Sequence, residues 1–202
     1  MRAESPDPLS GAKRDVLERA KRDVLERAKR DVLERAKRVR LMLFDVDGVL
    51  TDGKLWYGPG GEALKAFGAL DGHGIKLLMR SGVAVALLSG RTSAAVTQRA
   101  LELGVPHVLQ GIDDKRAAFE ALCAKLGIPA RETGFMGDEL VDLPVLKRCG
   151  FACAPREAHE LVRERVQYVA RAPAGAGAAR EVCDLLMRSQ GTLESALARY
   201  LA

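Results

Sequence analysis

The chain has 202 residues and a hydrophobic content of 48%, enough for one sizeable domain or two small ones. Its apolar runs fall short of the roughly 20 residues that a membrane-spanning helix needs, and its first residues lack the apolar centre of a signal peptide. We therefore exclude a membrane protein and predict a soluble, cytoplasmic one. The four cysteines form no CxxC pair and lie in apolar patterns, which predicts buried thiols.

The net charge of +5 is compatible with nucleic-acid binding, but its distribution argues against that function. Residues 1–40 contain 13 Lys and Arg against 8 Asp and Glu, whereas residues 41–202 contain 19 of each kind. The excess positive charge therefore belongs entirely to the N-terminal segment. We expect no nucleic-acid partner.

Three identical copies of the octapeptide AKRDVLER occupy residues 12–35, within a predicted N-terminal arm of residues 1–38. The copies consist of strong helix formers, and pairs such as Asp15 with Arg19 and Glu18 with Arg22 are one helical turn apart. Because eight residues turn a helix by about 800°, the Val-Leu pair rotates roughly 80° per copy and forms no coiled-coil seam. We interpret the arm as a solvated single helix; docking on a partner or an acidic surface is the alternative.

Residues 39–202 alternate short apolar strands with helices, which predicts an α/β domain with a mostly parallel sheet covered on both faces. The predicted strands, in chain order, are 40–46, 83–88, 107–109, 133–136, 151–154 and 167–170. The predicted helices are 75–80, 93–103, 115–126, 140–148, 157–165 and 178–189. Residues 54–68 break the alternation, because two apolar runs flank the turn sequence GPGG, which predicts an antiparallel hairpin.

The stretch LMLFDVDGVLTDG, residues 41–53, places three aspartates directly after the first predicted strand. Carboxylates crowded this closely repel one another unless a cation lies between them. Asp45 and Asp47 lie at the carboxyl end of a parallel strand, where ligands bind, and their spacing suits a hard cation such as Mg²⁺. Gly48 allows the chain to turn, and we assign Asp52 to a cap of the turn into the hairpin.

Three further strand ends carry compatible groups. Ser89 and Gly90 offer a hydroxyl and an exposed amide at the start of a helix, which suits phosphate oxygens. Lys115 offers a compact ammonium, and the segment GDELVD places Asp138 and Asp142 one helical turn apart. Each group alone is a weak signal, but their order along the chain indicates a single site.

With these motifs, the sequence resembles the haloacid dehalogenase superfamily of aspartate-nucleophile phosphatases, in particular its capless branch, which contains the 3-deoxy-D-manno-octulosonate 8-phosphate (KDO 8-phosphate) phosphatases. The resemblance extends over residues 37–202 and includes the segments GEALKAF, DGHGIK and YVARAPAGAGAAREVCDLLMRSQGTLESAL. It implies a Rossmann-like fold without a cap domain, and a Mg²⁺-dependent phosphatase that acts on a sugar acid phosphate in lipopolysaccharide biosynthesis.

The resemblance also implies the catalytic roles. Asp45 would attack phosphorus and form an aspartyl-phosphate, while Asp47 would protonate the leaving oxygen and later deprotonate water. Ser89 and Lys115 would hold the phosphoryl oxygens during transfer.

Mg²⁺ would be bound by Asp45, Asp138 and the backbone carbonyl of Asp47, with Asp142 as a support behind them. The cation and Lys115 would together neutralise the carboxylate cluster, so that Asp45 can approach an anionic phosphate.

A sugar acid carries a carboxylate as well as a phosphate, so its site needs additional cations. By resemblance, the substrate contacts are Asp71, Gly72, Lys76, Gly90, Arg91, Arg99 and Arg180. For Lys76 and Arg99, a solvated helix face is the alternative interpretation. Relatives often carry a polar residue in place of Gly68, an Arg in place of Leu70 and one more glycine in the tail, so specificity at those positions is open.

Neither the 43 residues between Asp45 and Ser89 nor the 22 between Lys115 and Asp138 can hold a cap domain. The resemblance instead implies a homotetramer in which hairpins and C-terminal tails (residues 172–202) complete neighbouring sites, with Arg180 reaching an adjacent subunit. The apolar segment Leu55-Trp56-Tyr57 fits burial in such an interface.

Three other functions were weighed. A phosphatase for a nine-carbon sugar acid 9-phosphate is the nearest rival, although the tail favours the eight-carbon substrate. A non-catalytic assembly module is disfavoured because every catalytic position is occupied. A phospho-accepting receiver domain is disfavoured because it lacks an Asp two residues after its acceptor, where Asp47 stands here.

Overall fold

The computed structural model describes residues 8–201, and a six-stranded sheet lies at the centre of the protein. Its strands are β1 (Leu41–Phe44), β4 (Ala84–Leu88), β5 (His107–Leu109), β6 (Thr133–Met136), β7 (Phe151–Ala154) and β8 (Tyr168–Val169). They lie in the order β5-β4-β1-β6-β7-β8, and every neighbouring pair is parallel. The predicted α/β fold with a mostly parallel sheet is therefore confirmed.

Helices cover both faces of the sheet. One face carries α2 (Ala69–Arg80), α3 (Ala94–Leu103) and α7 (Ala178–Ser189), and the other carries α4 (Lys115–Leu126), α5 (Leu143–Leu146) and α6 (Glu160–Arg163). All four residues of β1 are buried because its side chains alternate between the two layers: Met42 and Phe44 face the first, Leu41 and Leu43 the second.

Several helix bounds differ from the predicted ones. α2 begins at Ala69, six residues before the predicted start, and its glycines allow α7 to approach: a Cβ on Gly74 would lie 2.8 Å from Cδ of Arg180. The predicted helix 140–148 is a 3₁₀ turn, Leu140–Asp142, followed by the short α5. A final helix, α8 (Leu193–Leu201), was not predicted.

The hairpin of residues 54–68 consists of β2 (Trp56–Gly58) and β3 (Gly61–Leu64), paired antiparallel as predicted. Its apolar side chains are exposed within one chain: Leu55, Trp56, Tyr57 and Leu64. The hairpin leaves the sheet directly after the Asp45–Asp52 segment, so it lies at the carboxyl edge, where parallel sheets bind ligands.

The repeats belong to α1 (Pro8–Lys37); residues 1–7 of the predicted arm lie outside the described part of the chain. The described side chains are exposed from Val16 to Asp31, and Glu18 pairs with Lys21 at 2.9 Å rather than with the predicted Arg22. Both partners are one turn away on the same face, so either can reach the carboxylate. The side chain of Asp15, in the other predicted pair, also lies outside the description.

The last turn of α1 differs from the solvated helix of the prediction. Ala36 is fully buried, Val32 packs against the core, and the side chain of Gln190 in the α7–α8 turn donates to the carbonyl of Ala36 at 3.2 Å. The arm is therefore anchored at its base and exposed along its described length.

All four cysteines are buried free thiols, as predicted. Within residues 8–201, none of the helices combines the length and the apolar character that crossing a bilayer requires.

Candidate active site at the carboxyl edge of the sheet

A cleft of about 290 Å³ lies at the carboxyl ends of β1, β4 and β6. It brings together seven of the predicted site residues: Asp45, Asp47, Ser89, Gly90, Arg91, Lys115 and Asp138. The hairpin side contributes Gly53 and Leu55, and the loop after β6 contributes Glu139 and Val141. Strand ends that are distant in the sequence therefore meet here, as the parallel topology requires.

Backbone pairing aligns the two main carboxylate segments. The amide of Asp45 donates to the carbonyl of Met136 at 2.9 Å, so the residues that follow β1 lie beside those that follow β6. Gly48 adopts a positive φ of 82°, and a Cβ at that position would lie only 2.1 Å from Oδ2 of Asp138. Only glycine meets both conditions, so Gly48 is what allows Asp138 to approach the Asp45 loop.

Lys115 is buried between two carboxylates at the start of α4. Its Nζ lies 3.0 Å from Oδ1 of Asp45 and 2.7 Å from Oδ1 of Asp142. Although burial alone lowers it, the pKa of Lys115 is raised above its ordinary value by these two carboxylates. Lys115 is therefore a permanently charged group beside Asp45.

Asp142 is completely buried and its oxygens are used by donors of the protein. Oδ1 accepts from Lys115, and Oδ2 accepts from the backbone amides of Asp138 at 3.0 Å and Glu139 at 3.2 Å. Asp142 thus holds both Lys115 and the Asp138 loop, and its support of a bound cation stays a prediction.

Three carboxylates lie close together beside Lys115, which contacts two of them. One oxygen each of Asp45, Asp138 and Asp142 lies within 4.8 Å of the others. Burial and the charge of Asp142 raise the pKa of Asp45 to about 7, and burial and the charges of Asp45 and Asp142 raise that of Asp138 to about 8. Oδ1 of Asp138 is buried and has no hydrogen-bond partner.

This donor set fits a hard divalent cation. Buried carboxylate oxygens that repel one another, one of them unpaired, are the ligands that Mg²⁺ prefers. Because Asp142 accepts from three protein donors and Oδ1 of Asp45 lies beside Lys115, the unpaired Oδ1 of Asp138 and the second oxygen of Asp45 are the atoms best placed to bind a cation.

Asp47 is held by the hairpin, which sequence reasoning missed. The buried Nζ of Lys65 donates to Oδ1 of Asp47, and Nε of Arg91 lies 3.7 Å from Oδ2. Glu62 of β3 contacts both cations. In the sequence, the segment GEALKAF resembles the family, but its spacing gives no sign that Glu62 and Lys65 lie near Asp47.

Ser89 is buried at the end of β4 and aligned by its neighbours. Its Oγ accepts from the amide of Arg91 at 3.2 Å, and its own amide donates to the carbonyl of Leu109 at 2.9 Å. The hydroxyl hydrogen is left to donate to an acceptor in the cleft, as a phosphoryl oxygen requires.

Five predicted substrate contacts do not line the cleft of one chain: Asp71, Gly72, Lys76, Arg99 and Arg180. Asp71 instead anchors α7, because its buried carboxylate accepts from the amides of Gly177 at 3.0 Å and Arg180 at 2.9 Å. Burial raises the pKa of Asp71 above its ordinary value. Its sequence position gave no sign of this role, since its partners are more than 100 residues away.

Arg99 and Arg180 are also engaged within the chain. Arg99 approaches the carbonyl of Gly68 at 3.3 Å and fills the space beside Gly72, and Arg180 pairs with Asp184 at 2.9 Å. Lys76 is half-buried on α2. Their predicted contact with the sugar stays a prediction.

Two departures from the family pattern are neighbours in space. A Cβ on Gly68 would lie 2.4 Å from the carbonyl oxygen of Gly175 in the tail. Gly175 itself, at φ 65°, lies against the backbone of Thr51. A polar side chain at position 68 would therefore displace this tail.

Comparison with known proteins agrees with the geometry. Residues 107–182 match the haloacid dehalogenase-like hydrolase family. The 3-deoxy-D-manno-octulosonate 8-phosphate phosphatase KdsC of Escherichia coli K12 is 44% identical over 158 residues, which cover 78% of this chain and 84% of that protein.

Solved structures show the same relationship. A probable YrbI family phosphatase from Pseudomonas syringae is 44% identical, with a TM-score of 0.84 over 86% of this chain and 98% of that one. The KDO 8-phosphate phosphatase of Moraxella catarrhalis, solved with a magnesium ion, a phosphate ion and KDO, is 38% identical, with a TM-score of 0.81 over 84% of this chain and 97% of that one. The chain therefore belongs to the KDO 8-phosphate phosphatase family of haloacid dehalogenase-like hydrolases.

Proposed function

We propose that this protein is a Mg²⁺-dependent phosphatase that hydrolyses KDO 8-phosphate to KDO and inorganic phosphate in the cytoplasm. The observation that carries the proposal is Asp45, a buried carboxylate that faces the cleft beside Lys115 and is followed two residues later by Asp47. Relatives of the same fold carry the name of this activity.

The first step uses Asp45 as the nucleophile. One of its oxygens attacks phosphorus, the bond from phosphorus to the sugar oxygen breaks, and an aspartyl-phosphate forms. Lys115, at 3.0 Å from Asp45, offsets the repulsion between the carboxylate and the incoming phosphate. Ser89 and the amide of Gly90 border the cleft where phosphoryl oxygens would be held.

Asp47 carries the proton in both steps. As a carboxylic acid it donates a proton to the departing sugar oxygen, and as a carboxylate it then accepts a proton from the water that attacks the aspartyl-phosphate. It borders the cleft, where Lys65 and Arg91 rather than Lys115 contact its carboxyl group.

Asp45 and Asp138 would hold the cation, with the backbone carbonyl of Asp47. When bound, Mg²⁺ supplies Lewis-acid neutralisation of charge on the transferring phosphoryl group. Asp142 fixes the positions of Lys115 and the Asp138 loop by accepting three hydrogen bonds from them.

Assembly would complete the site. The exposed Leu55, Trp56 and Tyr57 of the hairpin are suited to burial in a homotetramer, and Leu55 also lines the cleft. Arg180 and the tail would then bring positive charge to a neighbouring site, where the carboxylate of the sugar acid is bound.

Phosphate release from a substrate panel tests the proposal. The panel contains KDO 8-phosphate, a nine-carbon sugar acid 9-phosphate and hexose phosphates, each with Mg²⁺ and with a chelator. We expect strong preference for KDO 8-phosphate and loss of activity on chelation. Preference for the nine-carbon acid would show that the protein is a phosphatase for that substrate. Gly68 and Leu70 would then be the first residues to test for specificity. Release from none of them would favour a non-catalytic assembly module.

A further inference from the structure

A second group of charges connects the hairpin to the loop after β4. Glu62 of β3 accepts from Oγ of Ser93 at 2.5 Å, and its Oε2 lies 3.3 Å from Nζ of Lys65 and 3.5 Å from Nη2 of Arg91. Arg91 has a further partner in the hairpin, since the hydroxyl of Tyr57 accepts from it at 3.0 Å. Glu62 is thus the common partner of one serine and two cations.

Both of these cations face Asp47. Lys65 is 1% exposed and donates to Oδ1 of Asp47, so its charge is neutralised by Asp47 and Glu62 together. Arg91 places its buried Nε, which has no hydrogen-bond partner, 3.7 Å from Oδ2 of Asp47. The two oxygens of Asp47 therefore each face a cation that Glu62 holds from behind.

We propose that Glu62 is a positioning residue for proton transfer: it holds Lys65 and Arg91 so that they orient the carboxyl group of Asp47 toward the leaving oxygen. The inference rests on the proposed phosphatase function and deepens it. Glu62 does not line the cleft, so its effect passes through its partners. Its contact with Ser93, the residue before α3, also ties the hairpin to the sheet, so proton delivery depends on the position of the hairpin.

The rate of proton transfer depends on the position of the Asp47 carboxyl group. General acid catalysis requires the acid within hydrogen-bond distance of the atom it protonates, and a displacement of about 1 Å can cost about 10²-fold in rate. Without Glu62, Lys65 and Arg91 have only Asp47 and Tyr57 as partners, and they would draw the carboxyl group toward themselves. Glu62 balances that attraction.

The test is the variant Glu62→Gln, which keeps the shape of the side chain and removes its charge. kcat/KM is measured for two carboxylate-free substrates, phenyl phosphate and p-nitrophenyl phosphate, with Mg²⁺. This ratio reports the steps up to departure of the leaving group. Phenolate is the poorer leaving group and needs protonation more. Because neither substrate has a carboxylate, loss of a sugar contact by Arg91 affects both equally.

We expect E62Q to lower kcat/KM for phenyl phosphate by about tenfold or more and that for p-nitrophenyl phosphate by less than about threefold, as lost acid catalysis predicts. Ser93→Ala, which removes one donor to Glu62, should also lower kcat/KM more for phenyl phosphate than for p-nitrophenyl phosphate. It replaces E62Q in the test if E62Q fails to fold. The matched control is Lys54→Met, which removes an exposed hairpin cation paired with Asp52. It should leave unchanged the kcat/KM for phenyl phosphate relative to that for p-nitrophenyl phosphate.

Equal losses of kcat/KM for the two substrates, or no loss, in a folded variant would overturn the inference. A residue with a merely structural role would not discriminate between leaving groups. These outcomes leave the proposed function intact, since the unmodified chain remains active. Absence of phosphate release by the unmodified chain would instead overturn the proposed function, and this inference with it.

Discussion

Acidic and basic side chains pair in both the N-terminal arm and the cleft, but the pairs of the arm are exposed to solvent and those of the cleft are buried. In α1, Glu18 with Lys21 and Glu26 with Lys29 lie 2.9 Å apart on side chains that are about 60% exposed. In the cleft, Lys115 and Asp142 lie 2.7 Å apart and are 4% and 0% exposed. The residue types and distances are similar, so burial is what distinguishes them.

Burial changes what a charge can do. Water screens the pairs of the arm, which therefore contribute little beyond helix formation. In the cleft, the same carboxylate groups are desolvated and repel one another, which raises the pKa of Asp45 to about 7 and that of Asp138 to about 8. The repulsion is relieved by a cation or a proton, and perturbed pKa values of this kind are typical of a functional site.

The largest effect expected is that of Asp45→Asn. Without the nucleophile, phosphate release should fall by about 10⁴-fold or more, while the melting temperature holds or rises because a repelled carboxylate is gone. Glu26→Gln makes the same chemical change in the arm and should alter neither quantity. Phosphate release and thermal unfolding of both variants check this; activity of D45N within tenfold of the unmodified chain would contradict it.

Removal of the cation should make stability depend on pH. The folded-state pKa of Asp138 is about 8 against an ordinary 3.8, so between these values the folded protein binds more protons than the unfolded chain. The free energy of unfolding therefore falls as pH rises through that window. With a chelator, we expect melting to drop between about pH 5 and about pH 8.5, and Mg²⁺ to restore roughly 5 °C at the upper pH.

Asp138→Asn is the control for that experiment. Its amide cannot titrate, so the decline with pH should become shallower and Mg²⁺ should stabilise the variant less. An equal decline in both proteins would assign the pH dependence to groups outside the cleft. No titrating group in the arm is buried enough to produce it among the described side chains.

Asp71→Ala should test a buried carboxylate that is structural rather than catalytic. Loss of its bonds to the amides of Gly177 and Arg180 should reduce the free energy of unfolding by about 1–3 kcal/mol, with KM unchanged. Asp184→Ala, which breaks a partly exposed pair with Arg180, should cost less than about 1 kcal/mol. A raised KM at constant stability would instead support the predicted sugar contact of Asp71.

The smallest effect is expected from shortening the arm. Removal of residues 1–27, or of one octapeptide copy, should leave kcat/KM within about twofold and melting within about 1 °C, because exposed surface substitutions and pairs contribute little. Since the copies are identical, losing one leaves the same residues at the base of α1.

Val32→Asp, at that base, should by contrast lower the melting temperature by roughly 3 °C or more, because Val32 packs against the core. Circular dichroism melts of the shortened and substituted chains distinguish these cases. A large loss of activity on shortening would show that the exposed part of the arm takes part in function.

The strands and the chemistry at their ends could be predicted from local sequence patterns. Thr133–Met136 and Phe151–Ala154, which are buried, and the more exposed His107–Leu109 were predicted with the observed bounds, because parallel strands are short and rich in apolar residues. Because such strands share one carboxyl edge, residues as distant as Asp45 and Lys115 could be expected in one site. Helix formation in the repeats is equally local, since it depends on propensity and neighbouring pairs.

The contacts between side chains of different elements could not be predicted in the same way and are seen only in the folded protein. Lys65 reaches Asp47 because the hairpin folds over the strand end, and Asp71 binds an amide 106 positions later because the glycines of α2 let α7 approach. Burial of Ala36 likewise depends on the core beneath the base of α1. Contacts of this kind depend on packing between distant segments, which periodicity and spacing along the chain do not encode.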